Sequence, residues 1–300
     1  MINRFLNYVE IRTKITSLFA FLMSIALLAY WKQPVRWGVT ALFFSAMFLF
    51  DLTTTAINNY IDTRSNHQQL QFGRKTALFL IYVMLGISAA LGLYLAYLTD
   101  IVILLTGVLC FLCGVLYTYG PVPISRQPLG EVMSGIFYGL LIPFILFYIN
   151  MAEGAFFTLS VNLKTISLEL QVMPVLSLLL FSVVPFCTTA NIMLANNICD
   201  LEKDIAVKRH TLPYYIGRKA LYLFAGLYYA AYLATIGMVT FGILPPVCLF
   251  SLATIVPVQK NINTFFRRQE KAVTFITSIY NYVIIMGINT VLIWISALMA

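Results

Sequence analysis

The residues best suited to chemistry fall in two short runs with one spacing. Asn58, Asp62 and Asn66 are four apart, as are Asn196, Asp200 and Asp204, with Glu202 and Lys203 set into the second run. Residues four apart share a helix face, so each run is expected to form a row of side-chain oxygens. Stacked carboxylates repel one another and are costly near a bilayer, and a bound cation relieves both penalties. The donors are all oxygen, with no histidine or thiolate pair, which points to a hard ion: Mg2+, which keeps waters and shares its coordination with substrate phosphates. The expected metal ligands are Asn58, Asp62, Asn66, Asp200, Glu202 and Asp204.

The basic neighbours suit a diphosphate. Arg64, Lys203, Lys208 and Arg209 lie in or just after the runs. With the amides of Asn196 and Asn197, they are expected to meet phosphate oxygens that the metal leaves uncovered. The two histidines, His67 and His210, fall one in each loop and are too few for a histidine-based metal site. Asp51 stands inside an apolar run, seven residues before Asn58 and on the same helical face. A charge at that depth should line a protein cavity and not touch lipid.

The two runs belong to an internal repeat. Residues 58–66 align with 196–204 without a gap, each copy keeps Asn-Asn and then Asp, and each is followed by Gly-Arg-Lys, at Gly73-Arg74-Lys75 and Gly217-Arg218-Lys219. Both copies follow an apolar span and end on the same side, so the repeat is of parallel topology and puts the clusters in one plane.

The elements that carry the runs follow from composition. With 61% hydrophobic and 10% charged residues in 300, there is too much apolar surface for a water-soluble core, and the lipid bilayer must cover the excess. Apolar runs long enough to span it lie near 15–31, 37–57, 76–98, 101–118, 132–149, 173–195, 220–240, 243–257 and 274–298. The expected fold is all-α: a polytopic membrane bundle of about nine helices in two diverged repeats, with residues 1–300 forming a single transmembrane domain. The first run is long and lacks a small-residue cleavage site, so it reads as a retained span.

The net charge of +8 does not call for nucleic acid once its placement is considered. With the N-terminus inside, sixteen basic residues fall on the inner side, and only Lys32, Arg36 and Lys164 fall on the other. That bias predicts a multi-pass protein of the cell (cytoplasmic) membrane with a cytoplasmic N-terminus. The Cys110–Cys113 CxxC has no second ligand pair and reads as apolar packing.

These motifs resemble the UbiA-type membrane prenyltransferases, which carry Asp-rich motifs at the cytoplasmic ends of the second and sixth of nine helices. The run from Asn197 to Asp204, followed by Lys208-Arg209-His210-Thr211-Leu212, is most similar to the 1,4-dihydroxy-2-naphthoate polyprenyltransferase branch. So is the loop Tyr117-Thr118-Tyr119-Gly120-Pro121 through Glu131. One departure concerns the first motif: relatives carry more aspartates, whereas Asn59 and Asn66 leave Asp62 as its only carboxylate. Amide oxygens can still coordinate Mg2+, with less charge.

The resemblance implies Mg2+-dependent transfer of a prenyl group from polyprenyl diphosphate to an aromatic carboxylate acceptor, with Asp62, Asp200 and Asp204 as the catalytic carboxylates. The acceptor would bind near Tyr119, and Arg12, Lys14 or Arg126 would offset its charge. The branch implies 1,4-dihydroxy-2-naphthoate and demethylmenaquinol, in menaquinone biosynthesis, with 4-hydroxybenzoate as the alternative acceptor. A transporter with intramembrane carboxylates is the competing class, but its site would sit near the midplane, whereas these acids other than Asp51 lie at helix ends.

Overall fold

Among the described residues, eight helices are long and apolar enough to cross a bilayer. The computed structural model describes residues 1–63, 69–120, 123–162 and 164–299, so Arg64 and Asn66 of the first run lie outside the described residues. After α1 (Ile2–Tyr8) and a 3-10 turn over Ile11–Lys14 come α2 (Ile15–Tyr30), α3 (Trp37–Asp62), α4 (Arg74–Leu98) and α5 (Ile101–Thr118). The next crossing is composite: α6 (Gly130–Ser134), a π-helical segment (Gly135–Leu141) and α7 (Ile142–Asn150). Then follow α8 (Val172–Cys199), α9 (Leu201–Ala206), α10 (Leu212–Ile216) and α11 (Lys219–Thr240).

The stretch expected to span at 243–257 differs from a regular apolar helix. It is a 3-10 helix, Pro246–Thr254, running into α12 (Ile255–Arg267), followed by α13 (Ile276–Met299). At 13 residues α12 is too short to be a span by itself, and Gln259, Lys260, Asn261 and Asn263 give it a polar face while Val258, Ile262 and Phe265 bury the other. The rod nevertheless returns the chain across the bundle. α11 runs away from the end where α8 finishes, and Lys271, just past α12, is bonded to Asp200 at that end.

The connection after α7 is not helical. Phe157–Val161 and Ile166–Leu170 pair as an antiparallel hairpin, β1 and β2, closed by Asn162, whose side chain accepts from the backbone N–H groups of Lys164 and Thr165. Alternation of large apolar with small or polar residues favours the extended pairing.

The main core gathers Met23 and Leu27 of α2, Phe147 of α7, Phe181 of α8, Phe224 and Tyr228 of α11, and Tyr282 of α13. A second cluster around Tyr8, Leu52, Ala56 and Ile81 ties α1 to α3 and α4. Apolar side chains such as Phe79, Leu93 and Tyr97 of α4, and Leu105 and Leu109 of α5, are exposed, a surface for lipid chains to cover. Asn58 near the end of α3 and Asn196 near the end of α8 line one cavity, and α3 packs along α4 as α8 does along α11, as a parallel repeat requires.

Candidate active site

The helices outlast their apolar runs, and this extension displays the motifs. α3 continues to Asp62, so Asn58 and Asp62 stand one turn apart on one face. In the second copy the backbone bonds from the Asp200 N–H to the Asn196 carbonyl, 3.0 Å, and from the Asp204 N–H to the Asp200 carbonyl, 2.9 Å, carry the four-residue spacing across the α8–α9 junction.

A cavity of about 480 Å³ opens between the two copies. Glu10, Asn58, Asn196, Arg209 and Phe275 line its mouth, and Phe43, Leu95, Ile103 and Ile145 its apolar depth. Asp51 lines it midway, in a buried network. Lys14 Nζ donates to Asp51 Oδ1 at 2.8 Å, to the Asp51 carbonyl at 2.9 Å and to Thr55 Oγ1 at 2.5 Å. Ser17 donates to Asp51 Oδ2 at 2.8 Å, and Tyr138 donates to Oδ1 at 2.7 Å. Removing one partner of such a pair would strand a buried charge.

Tyr138 reaches Asp51 from the π-helical segment, which two glycines press against α8. A Cβ on Gly135 would meet the Phe186 ring at 2.6 Å, and one on Gly139 would land on the backbone of Pro185 and Phe186. The widened turn thus combines close helix packing with a tyrosine aimed into the cavity. π-segments recur at functional sites for such reasons.

At the mouth, Arg209 is positioned by a tight turn. Lys208 adopts a left-handed φ of 56°, and the Arg209 N–H returns to the Asp204 carbonyl at 2.8 Å. Arg209 Nε donates to the Ser125 carbonyl at 2.8 Å, and its NH1 lies 3.8 Å from Asp204 Oδ1. The Arg126 carbonyl accepts the His210 N–H at 3.2 Å, drawing the loop before α6 onto this turn. Arg209 and Arg126 both act electrostatically on Asp62. Burial pushes the Asp204 carboxyl above the usual range, with Arg209 opposing the shift and Asp200 and Asp62 adding to it, so carboxylates of both copies feel one another.

The remaining expected residues divide. Asn58 Oδ1 accepts from Thr118 Oγ1 at 3.1 Å at the cavity mouth. Asn196 and Asp200 Oδ2 both accept from Lys271 Nζ, the latter at 2.6 Å. Glu202, Lys203, Lys208, Arg12, Arg126 and Tyr119 are exposed. Asn197 turns away from the row and donates to Glu131 Oε1 at 2.9 Å, both residues being buried. Lys14, expected to be available to an acceptor, has its donors engaged by Asp51 and Thr55. Sequence reasoning did not single out Lys271, Glu10, Ser17 or Tyr138 as site residues, and nothing in local spacing marks them.

The oxygen set suits a hard cation. An ammonium already occupies Asn196 and Asp200, and the buried Asp204 Oδ2 has no hydrogen-bond partner among the described residues. Among those residues no three acidic, histidine or cysteine side chains gather closely enough to hold an ion by themselves. Amides, water and substrate phosphate would complete the coordination.

Residues 17–285 match the UbiA prenyltransferase family, and the chain belongs to it. A 1,4-dihydroxy-2-naphthoate octaprenyltransferase of Bacillus subtilis is 31% identical over 173 residues, covering 57% of this chain and 49% of that protein, so the match spans about half of the curated relative's length. Among solved structures, a UbiA homologue from Aeropyrum pernix K1 superposes with a TM-score of 0.66 at 18% identity, over 93% of this chain and 97% of that one. A homologue from Archaeoglobus fulgidus bound to geranyl diphosphate (GPP) and Mg2+ superposes with a TM-score of 0.62 at 12% identity, over 97% of this chain and 99% of that one. These likenesses show a shared fold.

Proposed function

We propose that this chain transfers a polyprenyl group from polyprenyl diphosphate to 1,4-dihydroxy-2-naphthoate with loss of CO2, in the cell membrane, with the motif end and the N-terminus in the cytoplasm. The observation that carries this reading is that one member of each oxygen row, Asn58 and Asn196, lines the mouth of one deep apolar cavity, with the aspartates one turn further along the same helix faces. Mouth and depth match the two halves of a prenyl diphosphate. The Bacillus relative's name supports the acceptor.

Mg2+ held by Asn58 and Asp62 in one copy and by Asp200 and Asp204 in the other would neutralise the diphosphate and improve it as a leaving group. Arg209 presents a planar fork to the same phosphates from the cavity wall. As the C1–O bond breaks, its electron pair leaves with the diphosphate and an allylic cation forms. The apolar walls exclude water, and Tyr138, whose hydroxyl donates to Asp51, turns an electron-enriched ring toward the cavity. Arg126 beside the mouth is the cation for the acceptor carboxylate, since Lys14 is occupied. The carboxylate-bearing ring carbon attacks C1, and the pair of the C–CO2 bond returns to the ring as CO2 departs.

The test uses acceptor labelled in the carboxyl carbon, supplied to membranes containing the protein together with a polyprenyl diphosphate. Label should leave as CO2 in step with prenylation. Label retained in the lipid product, as transfer to 4-hydroxybenzoate would give, defeats the naphthoate assignment.

A further inference from the structure

Lys271 lies 71 residues from Asp200, in the turn between α12 and α13. Its Nζ donates to Asn196 and, at 2.6 Å, to Asp200 Oδ2, two members of one oxygen row. Its ammonium also sits over the ring of Phe275, 4.9 Å from the centroid, and Phe275 lines the cavity mouth. The backbone below is held by the Glu270 carbonyl, which accepts the N–H groups of Val273, Thr274 and Phe275 at 3.2, 2.9 and 3.1 Å. The half-exposed side chain is therefore the movable part, a point charge on a four-carbon stem.

We infer that Lys271 is a built-in counter-cation of the second oxygen row, neutralising it in the resting protein, yielding Asn196 and Asp200 to a divalent ion, and then pairing with the diphosphate. An ammonium and a divalent cation repel strongly at the separation those shared oxygens would impose, so one displaces the other. The displaced ammonium keeps the Phe275 ring as a seat at the mouth, where the incoming phosphate oxygens would be its nearest anions. The exchange spares the empty site uncompensated carboxylates and adds a positive charge to the loaded one. This rests on the metal–diphosphate reading above.

The experiment uses purified full-length protein in lipid nanodiscs with Mn2+ as the probe, bound ion being counted by electron paramagnetic resonance without any diphosphate. Lys271→Met, which removes the competitor, should bind Mn2+ about five-fold more tightly or better. In turnover with Mg2+, the same variant should raise KM for the prenyl diphosphate several-fold while kcat changes less. Lys271→Arg, which keeps the charge, should restore both toward wild type. Mn2+ affinity unchanged or weakened in Lys271→Met overturns the exchange, as does an unchanged KM. Asp200→Asn separates this from failure of the parent reading. Wild-type binding that Asp200→Asn weakens leaves only the Lys271 proposal at stake, whereas no Mn2+ binding at millimolar concentration removes the metal reading and this inference together.

Discussion

Lys14 and Arg209 are both cations beside the same cavity, yet the fold gives them opposite tasks. Lys14 offsets the buried charge of Asp51, whereas Arg209 keeps part of its guanidinium facing the cavity. Asp204 shows what burial costs a carboxylate of the second row. Its carboxyl is raised mainly by burial, with Arg209 and Lys271 opposing and Asp200 and Asp62 reinforcing. A raised carboxyl binds its proton more tightly in the folded than in the unfolded state, so its contribution is present below the ordinary value of about 3.9 and is lost as pH rises through the raised one. In excess chelator, Asp204→Asn should therefore flatten the fall of melting temperature with pH just above the usual carboxylate range; a slope identical to wild type would refute that account. The oxygen rows were legible because i, i+4 spacing is local geometry. The partners of Lys14 and Asn197 were not, since Asp51 is 37 residues away and Glu131 is 66.

The π-helical segment is the element that ties the cavity wall to α8. Gly135 and Gly139 let it lie against α8 at Pro185, and that approach aims Tyr138 at Asp51. Gly139→Ala forces a methyl into backbone and should cost roughly 1–3 kcal/mol. A thermal melt would read the loss, and a melting temperature equal to wild type would contradict the packing described. Eight spans were legible from hydrophobic runs. The run at 243–257 reads as an apolar spanning helix, but its hydropathy gives no sign that Pro246–Thr254 winds as a 3-10 helix or that the chain continues into the amphipathic α12. The β1–β2 hairpin carries period-two alternation, visible in principle but masked by the helical character of everything around it.

Across the whole molecule, duplication explains why the two oxygen rows lie at one end. Two parallel copies bring α3 and α8 out on the same side, and the cavity between them is completed by the turn that carries Arg209 and the one that carries Lys271. The repeat and its orientation were readable from aligned residues 58–66 and 196–204, but a cavity is a product of packing and has no sequence signature. The central claim is that both oxygen rows act together on one metal-bound diphosphate. It is tested most directly by following labelled prenyl transfer in nanodiscs for wild type, Asp62→Asn and Asp200→Asn, with Mg2+ or with excess chelator. The account predicts turnover only with the ion, and a loss of about 100-fold or more in each variant. Full turnover in chelator, or in either variant, would contradict it.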